Sequence, residues 1–277
     1  MRASTWKVLV TTCAAVALTA CGWESPTRPS RTVDLNVVIS QMTAPDDSLP
    51  DMGVPAAPGF QLAPSVGAAA TLVPRACTYS ASLSGFACPP RGVNGLTITG
   101  SFYLYDDAGR ALGLLDPIKT ASVRTVTDAQ GAERLSSFNL AGTGTVTQHS
   151  DMTMTGLHAA TLTLNGTTAV RHDVTLTSPD SMHLVVDVTT TRKDLVLPAP
   201  GSTDRYPKSG SITIDGTTRW SVVGKAPDSV AARAVFRFDG TSIVVGTLTS
   251  GASTTVCTYD RTGILETRCH WSGASTP

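Results

Sequence analysis

The segment Leu96-Thr97-Ile98-Thr99-Gly100-Ser101-Phe102-Tyr103-Leu104-Tyr105 decides how the rest of the chain is read. Leu96, Ile98, Phe102 and Leu104 fall on one side of a period-two pattern; Thr97, Thr99, Ser101, Tyr103 and Tyr105 fall on the other. Successive side chains of a strand point to opposite faces, so this is a strand with one buried and one wetter face. Asp107-Ala108-Gly109 then supplies a three-residue hairpin loop with Gly109 in the left-handed conformation. That register places Leu104 opposite Leu112 and Phe102 opposite Leu114, apolar against apolar.

Working outward, the pattern recurs. Phe138, Leu140 and Val146 share one face of residues 136–148, and Met152, Met154, Ala160, Leu162 and Leu164 share one face of 152–164. With His149-Ser150-Asp151 as the loop, Val146 meets Met154, Leu140 meets Ala160, and Phe138 meets Leu162. Strands of that length exceed the usual five or six residues and are expected to bend. Gly142, Gly144 and Gly156 mark such a bend, or a close approach by another backbone or a ligand, and the register sets Gly144 against Gly156.

Asn165-Gly166, Asp215-Gly216 and Asp239-Gly240 read as tight hairpin turns, because both residue types tolerate positive φ. About the third of them Phe236 faces Ile243. Ser178-Pro179-Asp180-Ser181 turns Val174 and Leu176 back into Leu184, Val186 and Val188, and Pro198, Pro200 and Gly201 break the connection that follows. No solenoid period fits. The expectation is an all-β protein with little helix: an antiparallel meander of hairpins, roughly ten to fourteen strands, forming a sandwich or partly closed barrel.

The N-terminus carries a different signal. Arg2 and Lys7 precede the apolar run Val8–Ala20, 13 residues long, a secretory layout too short to cross a bilayer, which takes about 20. Leu18-Thr19-Ala20-Cys21 resembles the lipobox of bacterial lipoproteins at each of its positions. The resemblance covers the first 21 residues and implies that the Cys21 thiol is diacylglycerylated, that the signal is cut before it, and that the new amino group is acylated. Gly22 in place of Asp leaves out an inner-membrane retention signal, which favours the outer membrane in a two-membrane cell. Two or three acyl chains, at about 0.8 kcal/mol per buried methylene, would hold the chain stably on a membrane.

The expected organisation is a signal at 1–20, lipidated Cys21 and a tether at 21–32, then a segment at 33–75. That segment holds a first strand (Val33, Leu35, Val37, Ile39) and Pro-rich irregular chain, ahead of an antiparallel β domain at 76–277. The chain has 21 Lys plus Arg and 21 Asp plus Glu; without Arg2 and Lys7 the balance is 19 − 21 = −2. There is no basic field for nucleic acid. Aromatic residues at 5% argue against a transmembrane barrel with aromatic girdles.

With Cys13 in the signal and Cys21 acylated, Cys77, Cys88, Cys257 and Cys269 remain. An exported chain with four cysteines points to disulfides, and three pairings are possible. The segments Ala76-Cys77-Thr78-Tyr79 and Val256-Cys257-Thr258-Tyr259 look alike, which favours 77 with 88 and 257 with 269 as cross-strand links within hairpins. Ten and eleven intervening residues do not make the short knuckles of a zinc site.

Few residues point to chemistry. His149-Ser150-Asp151 holds the residue types of a hydrolase triad, but adjacent residues on a turn cannot relay to one another. His158 falls with Met154, Ala160 and Leu162, and His172 with Val170, Val174 and Leu176, so both point inwards as core histidines or as lining of a site; His183 lies on the other face from Leu184. Asp106 and Asp107 beside Gly109 fit a hairpin better than a calcium loop. Tyr206, Trp220 and Trp271 are candidates for an aromatic patch or for core packing.

With no catalytic, metal or cofactor motif, the expected role is non-enzymatic. The expected protein is a lipid-anchored cell-envelope lipoprotein that binds a partner or supports the envelope. The alternative is a carrier holding a lipid or other apolar ligand in its curled sheet.

Overall fold

The computed structural model describes residues 76–93, 95–137, 140–178, 181–198, 206–260 and 268–271. Cys21, the expected first strand at 33–39 and the Pro-rich segment lie outside them, as do Phe138, Pro179, Asp180, Pro200 and Gly201.

Among the described residues thirteen strands form one antiparallel sheet. They are β1 (Thr78–Ser80), β2 (Gly85–Val93), β3 (Leu96–Tyr105), β4 (Ala111–Leu112), β5 (Ser122–Ser137), β6 (Leu140–Thr155) and β7 (Thr161–Ser178), followed by β8 (Met182–Pro198), β9 (Ser209–Val222), β10 (Asp228–Phe238), β11 (Ile243–Ser250), β12 (Ser253–Asp260) and β13 (Arg268–Trp271). Each strand pairs with the next along the path, except that β4 pairs off the path with β3, so β3 lies beside β5. This is the expected meander. Among the described residues β13 has no pairing with β1, so the sheet is open rather than a closed barrel.

A single layer cannot bury Phe102, Leu104 and Val123 to 0% exposure, as found here, unless its apolar face curls over itself. The main core gathers Phe86, Phe102, Leu104, Val123, Met152, Met154, Leu162, Leu195 and Leu197, with Ile212 and Phe238 packed against it. All of these sit near one end of the sheet, the end that carries the β3–β5, β6–β7 and β10–β11 connections. Phe86 stacks on Phe102 with ring centroids 4.6 Å apart. A smaller cluster of Val174, Leu176 and Met182, with Trp220 and Val222, fills the opposite end of β7–β9.

The opening strand behaves as its alternation requires: Leu96, Ile98, Phe102 and Leu104 are buried, and Thr97 and Thr99 exposed. Leu104 pairs with Leu112, and Gly109 has φ +75°. Phe102 does not meet Leu114. β4 ends at Leu112, and Phe102 lies between Phe86 and Thr125. Val174 opposite Leu184 bears out the β7–β8 hairpin.

The 136–164 hairpin is corrected. β6 runs unbroken through His149-Ser150-Asp151 and pairs with β5 and β7; the loop comes later, at Gly156, with φ +80°. Gly144 faces Val174, not Gly156, and a Cβ on it would collide with the Asp173 carbonyl oxygen. Close approach of a neighbouring backbone, one of the two readings of these glycines, therefore holds there.

Of the three expected turns only Asp239-Gly240 is one, and its register sets Phe236 against Gly246 rather than Ile243. Asn165-Gly166 forms a bulge inside β7, where the Asn165 Oδ1 accepts the Asp194 N–H at 2.6 Å. Asp215-Gly216 lies mid-strand in β9.

Candidate functional site

Two faces of different chemistry follow from the alternation. On the inner face, Thr127, Ser150, Thr168 and Thr190 are opposite one another across β5–β8, and all four are buried. The Ser150 and Thr168 hydroxyls lie 3.1 Å apart, which satisfies polar groups that the core would otherwise strand. Ser150 thus points away from His149 and Asp151, and no relay joins the three.

The outer face of the same strands holds a trough of about 570 Å³ crossing β3, β5, β6, β7 and β8. Register builds it from two rows. One row is Thr99, Asp128, His149, Ala169 and Thr189; the other is Thr97, Gln130, Thr147, Arg171 and Asp187. Four strand spacings of about 4.8 Å make it roughly 19 Å long. Small residues, Ala169 and the threonines, leave the hollow; the charged residues line it.

Those charges are tied to one another. His149 Nδ1 lies 2.7 Å from Asp128, and Arg171 reaches Asp187 at 3.1 Å and Asp173 at 3.3 Å. Asp173 is also 2.7 Å from His183 Nε2, and Asp187 takes a second cation, Arg219. The carboxylates Asp128, Asp173 and Asp187 and the cations Arg171 and Arg219 largely offset one another. The hydrogen bond from His183, opposed by desolvation and helped by Arg171, holds the Asp173 carboxyl below the ordinary carboxylate range. Nearer the main core, Arg124 grips Asp151 through two hydrogen bonds of 2.8 and 2.6 Å and lies over the Tyr103 ring. The Asp151 pKa is lowered chiefly by those bonds.

The other sequence candidates disperse. His158 is exposed in the β6–β7 turn and does not face inwards; Leu157 is buried in its place. His172 is half-buried on the inner face with Val174, and His183 is on the outer face, as its parity requires. Asp106 accepts the Ala108 and Arg110 backbone N–H groups and so builds the hairpin. Trp220 packs in the β7–β9 cluster, separated from Tyr206 by most of β9, while the Trp271 side chain lies outside the description.

Cys77 and Cys88 form a disulfide. Cys257 is disulfide-bonded, and its backbone register partner is Cys269. Among the described residues no group of three or more His, Cys, Asp or Glu is placed to hold a metal ion, and no helix is long and apolar enough to cross a membrane. Compared with family models, with curated proteins and with solved structures, the chain gives no match in any of the three.

The trough was not legible in the sequence. Its residues are ordinary outward-facing Thr, Gln, His, Arg and Asp, and only the register of five strands assembles them. The nearest signal is Arg171 and Asp173, a charge pair at the spacing that shares one face of a strand.

Proposed function

We propose that this is a lipoprotein held in the cell envelope by acylated Cys21, with the outer membrane favoured, and that its β domain binds a partner without transforming it. The observation that carries this reading is the trough on the open face of the sheet. It is lined by hydroxyl, amide and charged groups set among apolar surface, and its charges nearly offset one another. That chemistry suits a hydrogen-bonding envelope component rather than a strongly charged polymer.

Two features make binding on the outer face the preferred reading over the carrier alternative. The apolar face is filled at its main core by fully buried Phe102, Leu104 and Val123, and His158 does not line an interior. A Cys257–Cys269 link is part of the proposal, since an oxidising compartment is what both hairpin disulfides need.

Ala169→Trp tests the trough directly. Ala169 is exposed at its floor, so the indole fills the hollow without entering the core. The wild-type chain, photocrosslinked in its own envelope through a reactive group near residue 169, should label one envelope component. That label should be lost with Ala169→Trp. Equal labelling of both chains would overturn the reading.

A further inference from the structure

At the end of the sheet that carries the main core, apolar side chains stand in water. Leu114 is 78% and Ile118 75% exposed in the β4–β5 connection, with Leu115 beside them and Tyr79 and Leu83 exposed on the β1–β2 hairpin. The loop and the hairpin lie side by side: a Cβ on Gly113 would touch the Tyr79 ring at 3.4 Å. The loop is also held in shape. Asp116 Oδ1 accepts the Ile118 and Lys119 N–H groups at 3.0 and 3.1 Å, and the buried Thr120 hydroxyl donates to the Asp116 carbonyl at 2.6 Å. Side chains fixed outward on a braced loop are presented to something.

Resting on the lipid anchor proposed above, we infer that this loop dips into the bilayer surface, with Leu114 and Ile118 in the acyl boundary. The place where the chain enters the domain selects a membrane as the occupant. Arg110 and Lys119 flank the loop with side chains 80% and 71% exposed, but they are paired with Asp106 at 2.7 Å and Asp116 at 3.5 Å, so they offer lipid their apolar stems rather than free charge. The described chain begins at Ala76, three residues before Tyr79, so the segment leading from Cys21 joins the domain beside this hairpin. The domain then stands core end down, and the trough, which begins at Thr99, six residues up β3 from Tyr105, is held clear of the lipid.

Leu114→Trp reports on the loop. The acylated chain is placed in vesicles of phosphatidylethanolamine and phosphatidylglycerol. In parallel, the Cys21→Ser chain is held on similar vesicles through an N-terminal hexahistidine and a nickel-chelating lipid. In both, the added fluorescence should be quenched by acyl-brominated lipid and shielded from aqueous iodide. The paired variant Leu114→Asp with Ile118→Asp should lower flotation of untethered Cys21→Ser chain with such vesicles by about tenfold. Free quenching by iodide with no effect of brominated lipid, in both arrangements, would overturn the inference. The chelated arrangement needs no acylation, so a failure of the natural anchor, read from the intact mass of the native chain, is seen separately.

Discussion

Phe102→Ala and Leu114→Ala separate the observed register from the one the hairpin pattern suggests. Phe102 is wholly buried and stacked on Phe86, whereas Leu114 is 78% exposed. Truncating a buried Phe costs about 3–5 kcal/mol through lost transfer energy and the cavity left behind, and the stacked ring pair argues for the upper half of that range. Truncating an exposed Leu costs within about 0.5 kcal/mol. For a domain of this size, 4 kcal/mol corresponds to a fall in Tm of about 8–16 °C. Urea titration followed by tryptophan fluorescence, with the disulfides intact, measures both variants against wild type. A Leu114→Ala cost comparable to that of Phe102→Ala would mean the two side chains pack together, and the observed placement of β3 would be wrong.

Other outcomes follow from individual contacts. Replacing Cys77 and Cys88 together by Ser should lower stability by about 3 kcal/mol, the chain-entropy value for a loop of this length, and unreduced peptide mapping should link Cys77 to Cys88 and Cys257 to Cys269 with no crossed pair. Because Arg124 depresses the Asp151 pKa, that carboxylate adds stability that is full above its ordinary value of 3.8 and disappears as pH falls through the lowered value. Asp151→Asn should therefore flatten the acid limb of urea midpoint against pH, while leaving its shape above pH ~5 unchanged. Gly144→Ala should destabilise by about 1–3 kcal/mol in the same titration, since its Cβ meets backbone rather than a movable side chain. Cys21→Ser should move the protein from the membrane fraction to the soluble one; retention would mean another anchor.

The all-β meander was legible because its strands alternate where one face is buried, as at Leu96–Tyr105 and at Val174 opposite Leu184. The errors share one cause. In β6 the outward positions carry His149 and Asp151 while the inward one is Ser150, kept dry by Thr168, so a strand centre has the composition of a turn. Asn-Gly and Asp-Gly tolerate positive φ, but a bulge asks for that as well as a hairpin does, and nothing local distinguishes Asn165-Gly166 from Asp239-Gly240. The trough and the exposed Leu114–Ile118 loop depend on which strands become neighbours, information that no single segment contains.

The trough exists only if β6 passes straight through residues 149–151 and sets His149 beside Asp128. Amide hydrogen exchange across this strand tests that most directly. The His149, Ser150 and Asp151 amides should exchange as slowly as those of Val146 and Met152, and far more slowly than that of exposed His158 in the β6–β7 turn. Fast exchange confined to 149–151 would restore the loop there, separate the two halves of the strand and remove the site.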